Sequence, residues 1–187
     1  MPEVKHRMET DFSVKHSLKP ASAHWLSGIP LPVELHTGHK AIDFEHAQLL
    51  ACMQTLRAVC NDFSRKEDCA ACSQEKREGC EDSLVGLLGD LLAFIIDHFK
   101  TEELAMRDSL LMAMDAEVCQ AHMEDHANIS AKVQEIIMAL EPLKTVGLLR
   151  ELDVLLQRWI SNHVMLHDLM LGRWLESSGQ QLNFSKS

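Results

Sequence analysis

An all-α fold is predicted for this chain, an up-down-up-down four-helix bundle with an irregular N-terminal arm. Three observations predict it. Apolar residues recur at helical spacing in four long stretches. No stretch alternates apolar and polar residues as a half-buried strand does. One longer and two short connections join the stretches, as they would join neighbouring helices of a bundle. The 187 residues suffice for one domain with a real core, and an apolar fraction of 46% with 25% charged residues is ordinary for a globular protein.

Residues 1–38 carry Pro20, Pro30, Pro32 and Gly28 and no sustained periodicity. They are expected to form an arm packing on the bundle through Trp25, Leu26, Ile29 and Leu31, behind a frayed start. The bundle is expected over 39–178, with a C-terminal tail at 179–187. Its first helix, about 39–60, places Ile42, His46, Leu49, Leu50, Met53 and Leu56 on one face. A polar, cysteine-rich connection follows at 61–80. The second helix, about 82–107, carries the stripe Leu84, Leu88, Leu91, Ile95, His98, Phe99, Glu102 and Met106. The third opens at Asp115, a residue suited to an N-cap, and ends before Pro142. Its stripe is Val118, His122, His126, Ile129, Val133, Ile136 and Leu140. The fourth runs over about 145–177 with the stripe Leu148, Leu152, Leu155, Trp159, His163, Leu166 and Met170, and is stopped around Gly179.

A net charge of −10 argues against nucleic acid and anionic membrane surfaces as partners. The longest apolar run, 91–96, is too short to span a bilayer, and no secretory signal is evident at the N-terminus. A cytoplasmic location is the default expectation. The six cysteines are then expected as reduced thiols or metal ligands rather than disulfides.

Five histidines and two carboxylates stand where apolar residues belong. His46, His98, Glu102, His122, His126, His163 and Asp168 lie on or beside the stripes of all four helices. Ionisable groups are almost never buried there unless they are paired or bind a metal. His98 with Glu102, and His122 with His126, are four residues apart, which stacks each pair on one helix face. Asp168 follows His163 by five, roughly 140° around the helix, and would approach from the flank. His167 has the neater spacing of four and is its rival. A single histidine on an apolar stripe is ordinarily a hydrogen-bonded core residue. Four helices each placing such groups on a buried face predict a ligand set for two metal ions. Imidazole with carboxylate suits iron, zinc, copper or manganese, and the lack of thiolate in the set disfavours a structural zinc site there. The set is richer in nitrogen than the carboxylate sites of ferritin-like proteins.

The segments IDFEH (42–46), HFKTEE (98–103), HMEDH (122–126) and HVMLHD (163–168) resemble the four ligand segments of the hemerythrin family. The likeness covers about residues 24–176, since the arm with Trp25 and the stretch TGHKAIDFEH also resemble bacterial members. The resemblance implies a di-iron centre. His122, His126 and His163 would bind one iron, and His46 and His98 the other. Glu102 and Asp168 would bridge them beside an oxo or hydroxo group in an Fe–O–Fe unit. One iron is then saturated and the other is one ligand short, which is where O2 would bind reversibly. Leu49, Ile95, Phe99, Ile129, Trp159 and Leu166 are the expected apolar wall of that pocket. Each of these also suits ordinary core packing.

The resemblance implies O2 binding rather than an enzyme. The leading expectation is a bacterial oxygen or redox sensor domain coupled to a signalling output domain or protein. O2 storage or transport is the alternative, followed by peroxide or nitric oxide handling or iron-centre repair. Relatives with repair roles carry a Glu four residues after the last histidine. Here that position is His167 and the carboxylate is Asp168.

Cys60, Cys69, Cys72 and Cys80 gather around the connection between the first two helices. The CxxC at 69–72 has the spacing of a zinc knuckle. A zinc site or a thiol switch is one reading, and four unligated surface thiols the other. Cys52 and Cys119 are expected to behave as small apolar residues, and Met53, Met106, Met123 and Met170 to fill gaps in the core or at its edge. His36 and His39 have no place in the ligand pattern. The acidic pairs Glu67–Asp68 and Glu81–Asp82 are expected to be solvated.

Overall fold

The computed structural model describes residues 29–60, 68–141 and 143–184, the last six of these by their backbone alone. All regular structure among the described residues is helical. A 3-10 turn at Val33–Leu35 precedes α1 (Lys40–Val59). Helix α2 is Gln74–Asp108, α3 the single turn Leu111–Met114, and α4 Ala116–Met138. Helix α5 (Thr145–His163) passes through a π-helical turn at Val164–Asp168 into α6, Leu169–Phe184.

Local chemistry explains most of these boundaries. Gly38 has φ +83°, a conformation that favours glycine, and turns the chain into α1. The Asp43 carboxylate then accepts from the Thr37 amide and hydroxyl at 2.7 and 2.8 Å, which ties the entering strand of chain to the first turn of α1. Ser73 caps α2 by accepting from the Lys76 amide. That cap starts α2 eight residues before the expected position, Asp82. Residues 74–83 bury nothing, so no apolar stripe announces those turns. Leu110 adopts a left-handed conformation at φ 64° and breaks α2 from α3. Asp115 caps α4 as predicted, accepting from the Val118 amide at 3.2 Å.

Helix α1 packs against α2 and α5, and α4 against α2 and α5. The four long helical segments therefore close a ring, which is compatible with the predicted four-helix bundle. Two apolar layers fill it. The larger holds Leu49, Leu56, Leu88, Leu91, Ile95, Val133, Leu152 and Leu156, all essentially inaccessible. The smaller holds Ile42, Met106, Leu111, Cys119 and Leu171. Each fully buried aliphatic side chain contributes about 1.5–3 kcal/mol. Along every helix of the ring the expected ligand residues fall between these two layers. No helix among the described residues is long and apolar enough to cross a membrane.

Ile29 and Leu31 are half-buried, whereas Trp25 and Leu26 lie outside the described residues. The arm reaches the ring further on. Leu35 packs against the larger layer, and the backbone of Thr37 presses on α6 where Gly172 leaves no room for a Cβ. Cys52 and Cys119 are buried, as expected of apolar residues, and so are Met53 and Met106. Two expectations on the fourth helix fail. Leu166 is 66% exposed and Met170 39% exposed. The π turn adds a residue to the helical repeat and swings Leu166 outward, so Leu166 is no part of a buried pocket. The expected end near Ser177 is also passed, since the helix continues to Phe184.

Candidate metal centre

All seven expected ligand residues meet in one buried layer, each at most 3% exposed. Helix α1 contributes His46, α2 His98 and Glu102, and α4 His122 and His126. His163 ends α5, and Asp168 ends the π turn. The π turn brings Asp168, and not His167, into this layer. Its hydrogen bonds run five residues back, as from the Leu169 amide to the Val164 carbonyl, so residues five apart come into line. Asp168 is thereby aimed inward below His163. His167 is half-buried and stacks on His122 with ring centroids 4.9 Å apart.

Three groups of ligand atoms form among the described residues; Glu102 belongs to the two fully buried ones, and the third, Asp125, His163 and His167, lies at the half-buried outer side of His163. Of the buried two, one comprises Glu102, His122, His126 and His163, the other His46, His98, Glu102 and Asp168. Each carboxylate spans the two. Glu102 Oε2 lies 2.9 Å from His126 Nε2 and 3.2 Å from His122 Nε2, while its Oε1 lies 3.2 Å from His98 Nε2. Asp168 Oδ1 lies 3.1 Å from His163 Nε2 and 3.2 Å from His122 Nε2, while its Oδ2 lies 3.1 Å from His46 Nε2. The cluster thus divides into three imidazoles and two, joined by two carboxylates.

The inner atoms suit metal ions better than one another. His163 Nε2 stands 3.2 Å from His122 Nε2 and 3.3 Å from His126 Nε2, nitrogens facing nitrogens. His98 Nε2, Glu102 Oε1 and Asp168 Oδ1 are buried without a hydrogen-bond partner. Unsatisfied buried polar atoms cost about 1–3 kcal/mol each, and a pair of cations among them would satisfy all three. This donor set could hold metal. Its nitrogen and oxygen character excludes none of iron, zinc, copper or manganese.

The outer imidazole nitrogens are held in turn. His98 Nδ1 donates to Glu45 at 3.0 Å, His126 Nδ1 to Glu103 at 3.1 Å, and His163 Nδ1 to Asp125 at 2.7 Å. His46 Nδ1 donates to the Leu35 carbonyl at 3.3 Å. With metal bound, such outer partners would fix the tautomer and turn the Nε2 lone pair inward. Sequence reasoning missed all of them. The three acids do carry a signal, because each is the chain neighbour of a ligand. A step of one residue turns about 100° around the helix, so Glu45, Glu103 and Asp125 face the adjacent helix and support a histidine there. Thr101 holds Glu45 by donating to its other oxygen at 2.9 Å.

Charge follows this geometry. Burial pushes the Glu102 carboxyl up, but His98 beside it and hydrogen bonds from His122, His126 and His163 hold it well below the usual carboxylate range. Asp168 is also held far below that range: burial and the Glu102 charge oppose ionisation, and the imidazoles of His122, His163 and His46, all within 3.2 Å of its oxygens, outweigh them. Burial alone would push His163 down, yet its hydrogen bond to Asp125 and the nearby carboxylates of Asp168 and Glu102 push it up to about 11.

Of the expected pocket wall, Leu49, Ile95, Phe99, Ile129 and Trp159 are buried. Phe99 stacks on His126 with centroids 3.8 Å apart. Trp159 meets Phe99 edge-on at 5.3 Å and tilts over His163 at 5.1 Å. Its Nε1, buried and without a hydrogen-bond partner, is the one polar atom in that wall. No family model, no curated protein and no solved structure matches the chain.

Proposed function

We propose that this chain is a hemerythrin-like, up-down-up-down four-helix bundle that binds O2 at a pair of non-haem irons and serves as an oxygen sensor. The observation that carries this reading is the division of five imidazoles into three and two, with Glu102 and Asp168 each offering one oxygen to either side. His122, His126 and His163 would hold one iron, His46 and His98 the other. The bound pair would supply reversible redox chemistry and an open position for a small ligand on the side with fewer nitrogens. Phe99 and Trp159, whose rings lie 5.7 and 6.2 Å from that of His98 as well as against His126 and His163, would together with the buried Leu49 and Ile95 limit water and protons at the centre, which would favour reversible binding over turnover. Glu45 and Asp125 hold His98 and His163 as Nε2 donors.

The sensing role rests on where the ligands sit. His163 and Asp168 bracket the π turn, and α6 follows directly from it. A change in what these two residues hold would act on a helical segment of unusual register that continues into α6. A signal passes only if the two states differ in such contacts. A cytoplasmic location and a separate output protein or domain belong to the same reading.

The test is the optical spectrum of iron-loaded, anaerobically reduced protein before and after O2 is admitted. Two irons per chain and slowly decaying charge-transfer bands are expected. Iron near zero, or one metal per chain, overturns the di-iron reading. Rapid peroxide turnover with no persistent bands replaces binding by enzymatic chemistry.

A further inference from the structure

A second cluster of ligating side chains lies at the opposite end of α1 from the arm. Cys60 follows the last residue of α1, Cys69 and Cys72 lie in the chain entering α2, and Cys80 is in the second turn of α2. All four line one cavity of about 30 Å³, together with Leu84 of α2 and Val146 of α5. None of the four is in a disulfide, and Cys60 is buried. His46 and Cys60 are fourteen residues apart on α1, roughly 20 Å along its axis, so this cluster is separate from the histidine centre.

The surroundings are organised. The Cys72 amide donates to the Cys69 carbonyl at 3.1 Å, closing the CxxC into a turn. Arg77 Nη1 donates to the Cys72 carbonyl at 2.9 Å and fixes that turn against α2. The Cys69 amide donates to the Leu143 carbonyl at 3.0 Å, which ties the turn to the approach to α5. Cys80 donates through Sγ to the Val59 carbonyl at 3.7 Å. Lys76, Arg77 and Glu81 also line the cavity. Burial and the neighbouring Cys60, Cys72 and Cys69 raise the Cys80 thiol, while Lys76 lowers it.

We infer that Cys60, Cys69, Cys72 and Cys80 form a structural zinc site in this cavity. Four cysteine sulfurs on one small cavity supply the number and type of donors that structural zinc takes, although no three of them lie within 4.8 Å of one another before the ion is bound. Binding exchanges thiol protons, released to solvent, for zinc–sulfur bonds, with no change of oxidation state. Four thiolates around a dication leave two negative charges, which Lys76 and Arg77 are placed to balance. The sulfurs ring the cavity, and the ion draws them together. The bound ion cross-links the end of α1, the start of α2 and, through the turn fixed to Leu143, the start of α5.

The test is metal analysis of the full chain expressed with zinc, alongside the double variant C69S/C72S. About one zinc per chain is expected in the parent and none in the variant, with iron content equal in both. Cobalt(II) in place of zinc should give thiolate charge-transfer bands and the intense visible bands of a tetrahedral ion. If the double variant fails to fold, cobalt titration of the parent and protection of four of its thiols from a thiol reagent decide the question. A parent that takes up neither zinc nor cobalt, or that carries a Cys69–Cys72 disulfide after handling without reductant, overturns the proposal. Iron loading reports separately on the histidine centre.

Discussion

Asp168 and His167 are adjacent, and only one of them reaches the buried layer. The Asp168 carboxylate is inaccessible and lies within 3.2 Å of three imidazole nitrogens, on His46, His122 and His163. His167 is half-buried and stacks outside the group. D168A should therefore lose metal from both sides of the cluster, whereas H167A should load the same metal complement as the parent. Metal content per chain measures both, and loss in H167A with retention in D168A would reverse the assignment. Asp125 acts one step further out, through His163. D125N keeps the size of the side chain and removes its charge, so it should weaken metal binding about 10–100-fold, in line with other changes to groups that orient ligand histidines. A competition titration against a chelator reads this directly. An unchanged affinity would mean that the Asp125 hydrogen bond does not position His163. The seven residues of the buried layer were legible in the sequence because ionisable groups interrupt apolar stripes. Glu45, Glu103 and Asp125 were not, because an acid beside a ligand looks like any solvated helix charge until the neighbouring helix is in place.

The π turn decides what the fourth long helical segment presents. In an uninterrupted α-helix Asp168 would lie roughly 140° from His163, and Leu171 about 80° from it. The added residue brings both onto the buried face and sends Leu166 to 66% exposure, the same as Met165 on the outer face. Extrapolating a period of 3.6 across this segment is what placed Leu166 and Met170 in the core, and no apolar pattern in HVMLHD marks the insertion. The first turns of α2 were illegible for the opposite reason: they form on propensity and the Ser73 cap while burying nothing. Removing the extra residue provides the test. Deleting the exposed Met165 would put the aspartate four residues after His163 and the leucine seven after it, both on one face of an ordinary α-helix. This deletion should keep metal loading largely intact and convert the π turn to α-helix. Inserting an alanine at the same place should push the aspartate out of register and abolish loading. If the deletion variant folds but binds no metal, the π geometry itself is required, beyond its effect on register.

The polar layer sits between two apolar layers and draws a side chain from every member of the helical ring, so its state is a property of the whole molecule. Without metal, the layer is held by imidazole protons shared with Glu102 and Asp168, and three inner atoms stay unpaired. Bound metal stabilises the folded chain by mass action, by about 2.7 kcal/mol at a hundredfold excess over the dissociation constant. For a chain of this size that corresponds to a rise in Tm of roughly 5–10 °C. Chelation should reverse it. The pH dependence of this gap has a definite sign. Hydrogen bonds and neighbouring carboxylates overcome burial to raise His98 and His122, and they push His163 up to about 11. A raised folded value stabilises the metal-free fold fully below the unfolded value of about 6.5, and that contribution fades as pH climbs through the folded values. Metal needs the same imidazoles unprotonated at Nε2, so its affinity rises with pH. The metal-free protein therefore loses stability over the range in which the loaded protein gains it. Thermal unfolding of both forms between about pH 6 and about pH 9 should show the Tm gap widening steadily. A gap that stays constant or narrows would mean that these imidazoles are not the groups metal competes for.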